Sequence, residues 1–270
     1  MKLNIKVTPL FKIAMIATVA LLLSSCTKDK LHQYIDAYND LCPYNSEFGV
    51  ITGLDVDDKQ LTFNITADEK TIPLEKFKSN PEVVKTGWLV NFVGSKDATK
   101  ADFINLIANS GRGIVLNFSN DNDKKFAINI NNKELVANLK KKITDDEEVD
   151  HLIKLNRLTL PKQLDAATTM TDLKLEGDYM IYYYDINEDV LTIEEMNNNT
   201  STYRDIIING MKGEFANPDS PMAYFFGLIG KMNKGLRYSY HGTKSGNTLD
   251  IDITNAELKQ VAATAPQPAK

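Results

Sequence analysis

The residues able to do chemistry are few and scattered. Three histidines, His32, His151 and His241, fall in separate stretches of a 270-residue chain. A zinc site needs ligands at short fixed spacing, such as His-Glu-x-x-His or a cysteine pair beside a histidine, and none of the three sits in such a frame. Cys42 would need a nearby base to act as a nucleophile. It follows an apolar helical stretch and adjoins Pro43, the setting of an inert thiol. Acid-rich stretches occur at residues 55–58, 120–123 and 185–189. The last offers oxygens at Asp185, Asn187 and Asp189, the opening of a calcium loop. Val190 stands where that loop needs glycine and Met196 where it needs glutamate, so a hairpin turn is expected instead. Gly111-Arg112-Gly113 reads as a helix cap running into a strand, not as a phosphate cradle. These residues predict no metal, no cofactor and no catalytic constellation.

One residue does carry a chemical expectation. Lys2, Lys6 and Lys12 precede eleven uncharged, mostly apolar residues (13–23), which end in Leu23-Ser24-Ser25-Cys26. A positive start and an apolar run of this length make a secretory signal, too short to span a bilayer comfortably. Leu23-Ser24-Ser25-Cys26 resembles the lipobox of bacterial lipoproteins. The resemblance implies that Cys26 is alkylated by a diacylglycerol, that residues 1–25 are removed, and that palmitate-type chains hold the protein to a membrane. Each buried methylene contributes about 0.8 kcal/mol, so several chains anchor firmly. Thr27, in place of an acidic residue, favours the outer membrane. Cell-envelope localisation is expected.

Losing the three leader lysines takes Lys+Arg from 31 to 28 against 36 Asp+Glu, and the net charge from −5 to −8. That balance, with no basic helix face, argues against nucleic acid as a partner. With Cys26 lipidated, Cys42 is the remaining thiol and no disulfide forms within the chain.

The mature chain repeats itself. Residues 52–65 (TGLDVDDKQLTFNI) align with 171–184 (TDLKLEGDYMIYYY) at an offset of 119. Residues 103–107 and 113–118 align with 225–229 and 235–240 at 122, and Ile128, Ile130, Glu134 and Leu135 with Ile251, Ile253, Glu257 and Leu258 at 123. Leu41-Cys42-Pro43 stands opposite Leu160-Pro161. A slowly drifting offset is what small loop insertions produce in a duplication. The boundaries read as a tether over 26–30, a first unit over 31–142, a linker over 143–146, a second unit over 147–261 and a disordered tail over 262–270. The lysine run 140–142 and the acid run 145–148 read as a solvated helix end and that linker.

Each unit reads as helix, hairpin, helices, hairpin, helix. A leading helix (31–41; 149–158) stops near its proline. Leu61, Phe63 and Ile65 alternate with polar residues, the period of a half-buried strand. Asn80-Pro81-Glu82 and Ser220-Pro221 open helices. Ile114, Leu116 and Phe118 pair with Phe126, Ile128 and Ile130; Leu236, Tyr238 and Tyr240 pair with Leu249, Ile251 and Ile253. A closing helix is capped by Asn131 or Asn132 and by Thr254 or Asn255. Two hairpins per unit predict an α+β fold with an antiparallel sheet. The Leu-Pro, Thr-x-Leu, hairpin pattern resembles duplicated modules of exported bacterial proteins of unknown function, from which no functional residue carries over.

The units differ on one face. Met180, Tyr182 and Tyr184 take the inward places of Leu61, Phe63 and Ile65. The outward places are Gln60, Thr62 and Asn64 in the first unit but Tyr179, Ile181 and Tyr183 in the second. An apolar outer face needs cover from a helix, from the other unit, or from a partner or ligand. The expected function is therefore a membrane-anchored, non-enzymatic binding or scaffolding protein whose partner is another envelope protein or a small ligand, with Tyr179, Ile181 and Tyr183 as its face. The alternatives are an inhibitor or immunity-type lipoprotein acting on a protein, and then a hydrolase with a cleft between the units.

Overall fold

The computed structural model describes residues 27–46, 48–68, 72–93, 98–120, 124–217 and 220–264. The signal and Cys26 lie outside them. The chain divides into two compact units between Ile143 and Thr144. Among the described residues no helix is long and apolar enough to cross a membrane.

Unit 1 runs α1 (Thr27–Asp40), β1 (Tyr44–Ser46), β2 (Gly49–Val56), β3 (Gln60–Thr66), α2 (Leu74–Ser79), α3 (Pro81–Val93), α4 (Ala98–Asn109), β4 (Gly113–Ser119), β5 (Lys125–Ile130) and α5 (Asn132–Lys140). The hairpin β2–β3 turns on Asp57, whose carboxylate accepts the amides of Lys59 and Gln60 at 2.7 and 2.9 Å. Its inward residues Leu61, Phe63 and Ile65 are buried, as the alternation predicts. Trp88 of α3, 1% exposed, meets Phe63 edge-on at 5.2 Å and helps fill the layer between helices and sheet. Asn39 ties α1 to β2: its side chain accepts from Leu54 N at 2.7 Å and donates to Leu54 O at 2.9 Å.

Unit 2 runs α6 (Asp145–Leu158), β6 (Lys162–Gln163), β7 (Thr168–Glu176), β8 (Tyr179–Ile186), α7 (Ile193–Asn198), α8 (Thr200–Phe215), α9 (Pro221–Lys231), β9 (Gly235–Gly242), β10 (Thr248–Ile253) and α10 (Asn255–Thr264). Ser220 caps α9, its hydroxyl accepting from Ala223 N, with Pro221 at the first helical position. The core joins Met180, Tyr182 and Tyr184 of β8 to Phe225, Phe226 and Ile229 of α9 and to Leu258 of α10.

The architecture is mixed α+β, ten helices and two five-stranded sheets among the described residues. The sheets are not antiparallel throughout, and this corrects the expectation. Their orders are β1-β2-β3-β4-β5 and β10-β9-β8-β7-β6, and the pairs β3–β4 and β8–β9 are parallel. The helices between these strands carry the chain back to the end where it started, the crossover a parallel pair requires. Both second strands carry a register shift, between Ile51 and Gly53 and between Met170 and Asp172.

Other boundaries also move. The stretch expected as a tether is helical from Thr27, and the tail is helical to Thr264. The linker expected over 143–146 is a helix start: Thr144 and Glu147 form a reciprocal capping box, and the acid run fills the first turn of α6. Its last member, Glu148, is buried and accepts a 2.6 Å hydrogen bond from the Tyr224 hydroxyl. The turn after Asp185 is not a hairpin. It leads from β8 into α7, and Glu188 within it bonds across to the β9–β10 loop.

Candidate functional site: the outer face of the second sheet

Strand alternation puts Tyr179, Ile181 and Tyr183 on the face of β8 opposite Met180, Tyr182 and Tyr184, which line the core. Ile181 is 7% exposed, while Tyr179 and Tyr183 are half-buried. Their cover includes long charged side chains of the same sheet. Register sets Ile181 between Lys174 on β7 and Arg237 on β9, both with aliphatic stems able to lie over an apolar neighbour. The Arg237 guanidinium stands over the Tyr179 ring at 4.7 Å, and the Lys174 ammonium over Tyr183 at 5.3 Å. Such contacts contribute about 0.5–1 kcal/mol at exposed sites.

The cations are themselves held. Arg237 donates from Nε and Nη2 to the Asp252 carboxylate, each at 2.7 Å, and Asp250 lies 3.6 Å from Nη1. The hydrogen bonds that Arg237 donates to Asp252 keep the guanidinium proton bound and raise its pKa further. Ser239 donates to Asp250 at 2.7 Å, and Lys174 pairs with Glu176 at 2.5 Å. At one border Arg157 of α6 grips Asp172 with two bonds of 2.7 and 3.0 Å. At the other, His241 Nδ1 lies 3.2 Å from Asp185. The face is thus a lattice of alternating charge over aromatic rings. The outward places of β9 and β10, which hold Arg237, Ser239, Asp250 and Asp252, follow from the same period of two that found Tyr179. Sequence reasoning missed these charged partners, and that period was the signal that could have placed them on this face.

The remaining candidates do not converge. His32 lies on α1, His151 on α6 and His241 at the end of β9. Among the described residues no three metal-ligating side chains cluster. Cys42 donates its thiol proton to Tyr38 O at 3.3 Å, and burial pushes its pKa up, both against a thiolate. On the core side of the same sheet, four phenols stack in sequence. Tyr182 and Tyr238 stand 5.4 Å apart, Tyr238 and Tyr184 6.3 Å, and Tyr184 and Tyr240 5.2 Å. Burial raises the pKa of all four, and among the described residues the Tyr182 hydroxyl finds no partner.

No protein family matches the chain, and no curated protein does. A solved structure, that of a Pseudomonas aeruginosa protein inferred to be secreted, aligns with 44% of this chain and 99% of its own. Identity is 12% and the TM-score 0.34, a likeness that fixes neither fold nor function.

Proposed function

We propose that the chain is an exported, non-enzymatic lipoprotein of the bacterial envelope, that Cys26 serves as its anchor, and that it acts by binding a partner. The observation that carries this is the leader: three lysines, an apolar run and Leu23-Ser24-Ser25-Cys26. The thiol takes the diacylglycerol, residues 1–25 are cut away, and both units follow the anchor. We further infer that the units arose by duplication. In support, both sheets have the same strand order, the same parallel pair and a register shift 119 residues apart. Asn132 and Asn255 also make the same two bonds, each to the end of the preceding helix and to the residue before β4 or β9.

The partner face is the one built on Tyr179, Ile181 and Tyr183. Ile181 is its packed centre, and the rings and ion pairs around it are the groups a partner would meet. The test is cell fractionation with the full chain. The wild type should travel with membranes and be released by detergent, while Cys26→Ser should leave the membrane fraction. If Cys26→Ser stays with membranes as tightly as the wild type, the lipid anchor is wrong.

A further inference from the structure

Unit 1 carries a hollow of about 210 Å³ at the end of its sheet where β3 and β4 begin. Lys59, Gln60, Gly113, Val115, Asn129 and Asn131 line it. Its walls are pinned. Asp57 holds the amides of Lys59 and Gln60, Arg112 Nε donates to Asp57 O at 2.6 Å, and Gly113 N donates to Lys59 O at 2.9 Å. Asn131 spends its carbonyl oxygen on the cap of α5, accepting from Glu134 N. The side chains of Gln60 and Asn129 have no partner among the described residues.

Unit 2 fills the same place with its own residues. Register puts Tyr179 where Gln60 stands, Arg237 where Val115 stands and Asp252 where Asn129 stands. There the Tyr179 ring packs on Gly235, so closely that an added Cβ would meet it at 3.0 Å, and Arg237 covers the ring while bonding Asp252. On Gly113 an added Cβ would meet the backbone of residues 130–132 and no ring. One backbone frame thus holds a six-membered ring in unit 2 and leaves its place open in unit 1.

We propose that this hollow binds a single pyranose ring of a glycan. Its volume lies below the roughly 300–1,000 Å³ of drug-sized pockets, which suits one ring. Where unit 2 has a tyrosine and an ion pair, the lining has Gln60, Val115 and Asn129, and the two amides can each donate and accept, as neighbouring sugar hydroxyls require. Val115 supplies an apolar floor for the C–H face of the sugar. Lys59 and the buried Arg112 bring two positive charges and Asp57 offsets one of them, so recognition rests on the amides rather than on charge. The proposal stands independently of the lipid anchor.

The test is amide-resolved NMR of the full chain titrated with the β-1,4-linked N-acetylglucosamine trimer. Saturable shifts should appear at the backbone amides of Gln60, Gly111, Gly113 and Asn131 and at the side-chain amides of Gln60 and Asn129. Gln60→Tyr places the ring of unit 2 in the hollow and should abolish them. Asn129→Ala, at an exposed position, should weaken binding about three- to ten-fold, the size of one hydrogen bond. If Gln60→Tyr fails to fold, Asn129→Ala decides the matter. The absence of saturable shifts in the wild type, or unchanged affinity in Asn129→Ala, overturns the proposal. So does p-cresol shifting the same amides more strongly than the trimer, which would make the hollow a seat for an aromatic side chain.

Discussion

Replacing Ile181 with aspartate separates a packed centre from an open patch. Ile181 is 7% exposed and stands between Lys174 and Arg237 in the sheet. Losing its burial costs about 1.5–3 kcal/mol. The new carboxylate gains little from its neighbours, because Arg237 is already paired with Asp252 and Lys174 with Glu176. Adding the partial desolvation of that carboxylate, we expect a loss of ~3 kcal/mol. Eight of the eleven tyrosines fall in the second unit, so near-ultraviolet circular dichroism follows that unit during urea unfolding. With a slope of about 1–3 kcal/mol per molar urea, the midpoint should fall by roughly 1–3 M. Ile181→Val, which removes one methylene, should cost only about 0.5–1.5 kcal/mol. If the aspartate variant unfolds no earlier than the valine variant, Ile181 is not buried as described and the reasoning fails.

Two further changes test the two cores and loops. Trp88→Ala should destabilise unit 1 by about 3–5 kcal/mol, because the indole is 1% exposed against Phe63; urea unfolding followed by circular dichroism checks this, and a loss under 1 kcal/mol on that scale would refute it. Glu188 accepts hydrogen bonds from the Ser245 amide and hydroxyl and from the Lys244 amide, which lower its pKa from 4.5 to about 2. Its folded pKa lies below its unfolded one, so its contribution is complete above pH 4.5 and is lost as pH falls from there towards 2. Glu188→Gln should flatten the acid limb of the stability curve in that window, and curves that run parallel from pH 5 to pH 2 would contradict the assignment.

Much of the secondary structure was legible because its signals are local. The period of two in Leu61, Phe63 and Ile65 and the Ser220-Pro221 opening each depend on a few neighbouring residues. The parallel pairing of β3 with β4 was not local. It depends on where three intervening helices return the chain, and no residue in either strand announces it. Strands β1 and β6, of three and two residues, are too short to show a period. The run 145–148 misled because four acids suggest solvent, whereas they sit at the positive end of a helix and Glu148 turns inward to Tyr224. On the candidate face, Tyr179, Ile181 and Tyr183 were found by alternation. Their cover was missed because Arg237 and Lys174 lie on other strands, and only the register shows which cation meets which ring. The hollow at Gln60 was invisible for a related reason: it is defined by a tyrosine present in one unit and replaced in the other.

The most direct test is mass spectrometry of the N-terminal peptide of the mature protein from membranes. The account predicts that residues 1–25 are absent and that the peptide begins at Cys26 carrying a thioether-linked diacylglycerol. A peptide that retains the leader, or one that begins elsewhere with an unmodified Cys26 thiol, would contradict it.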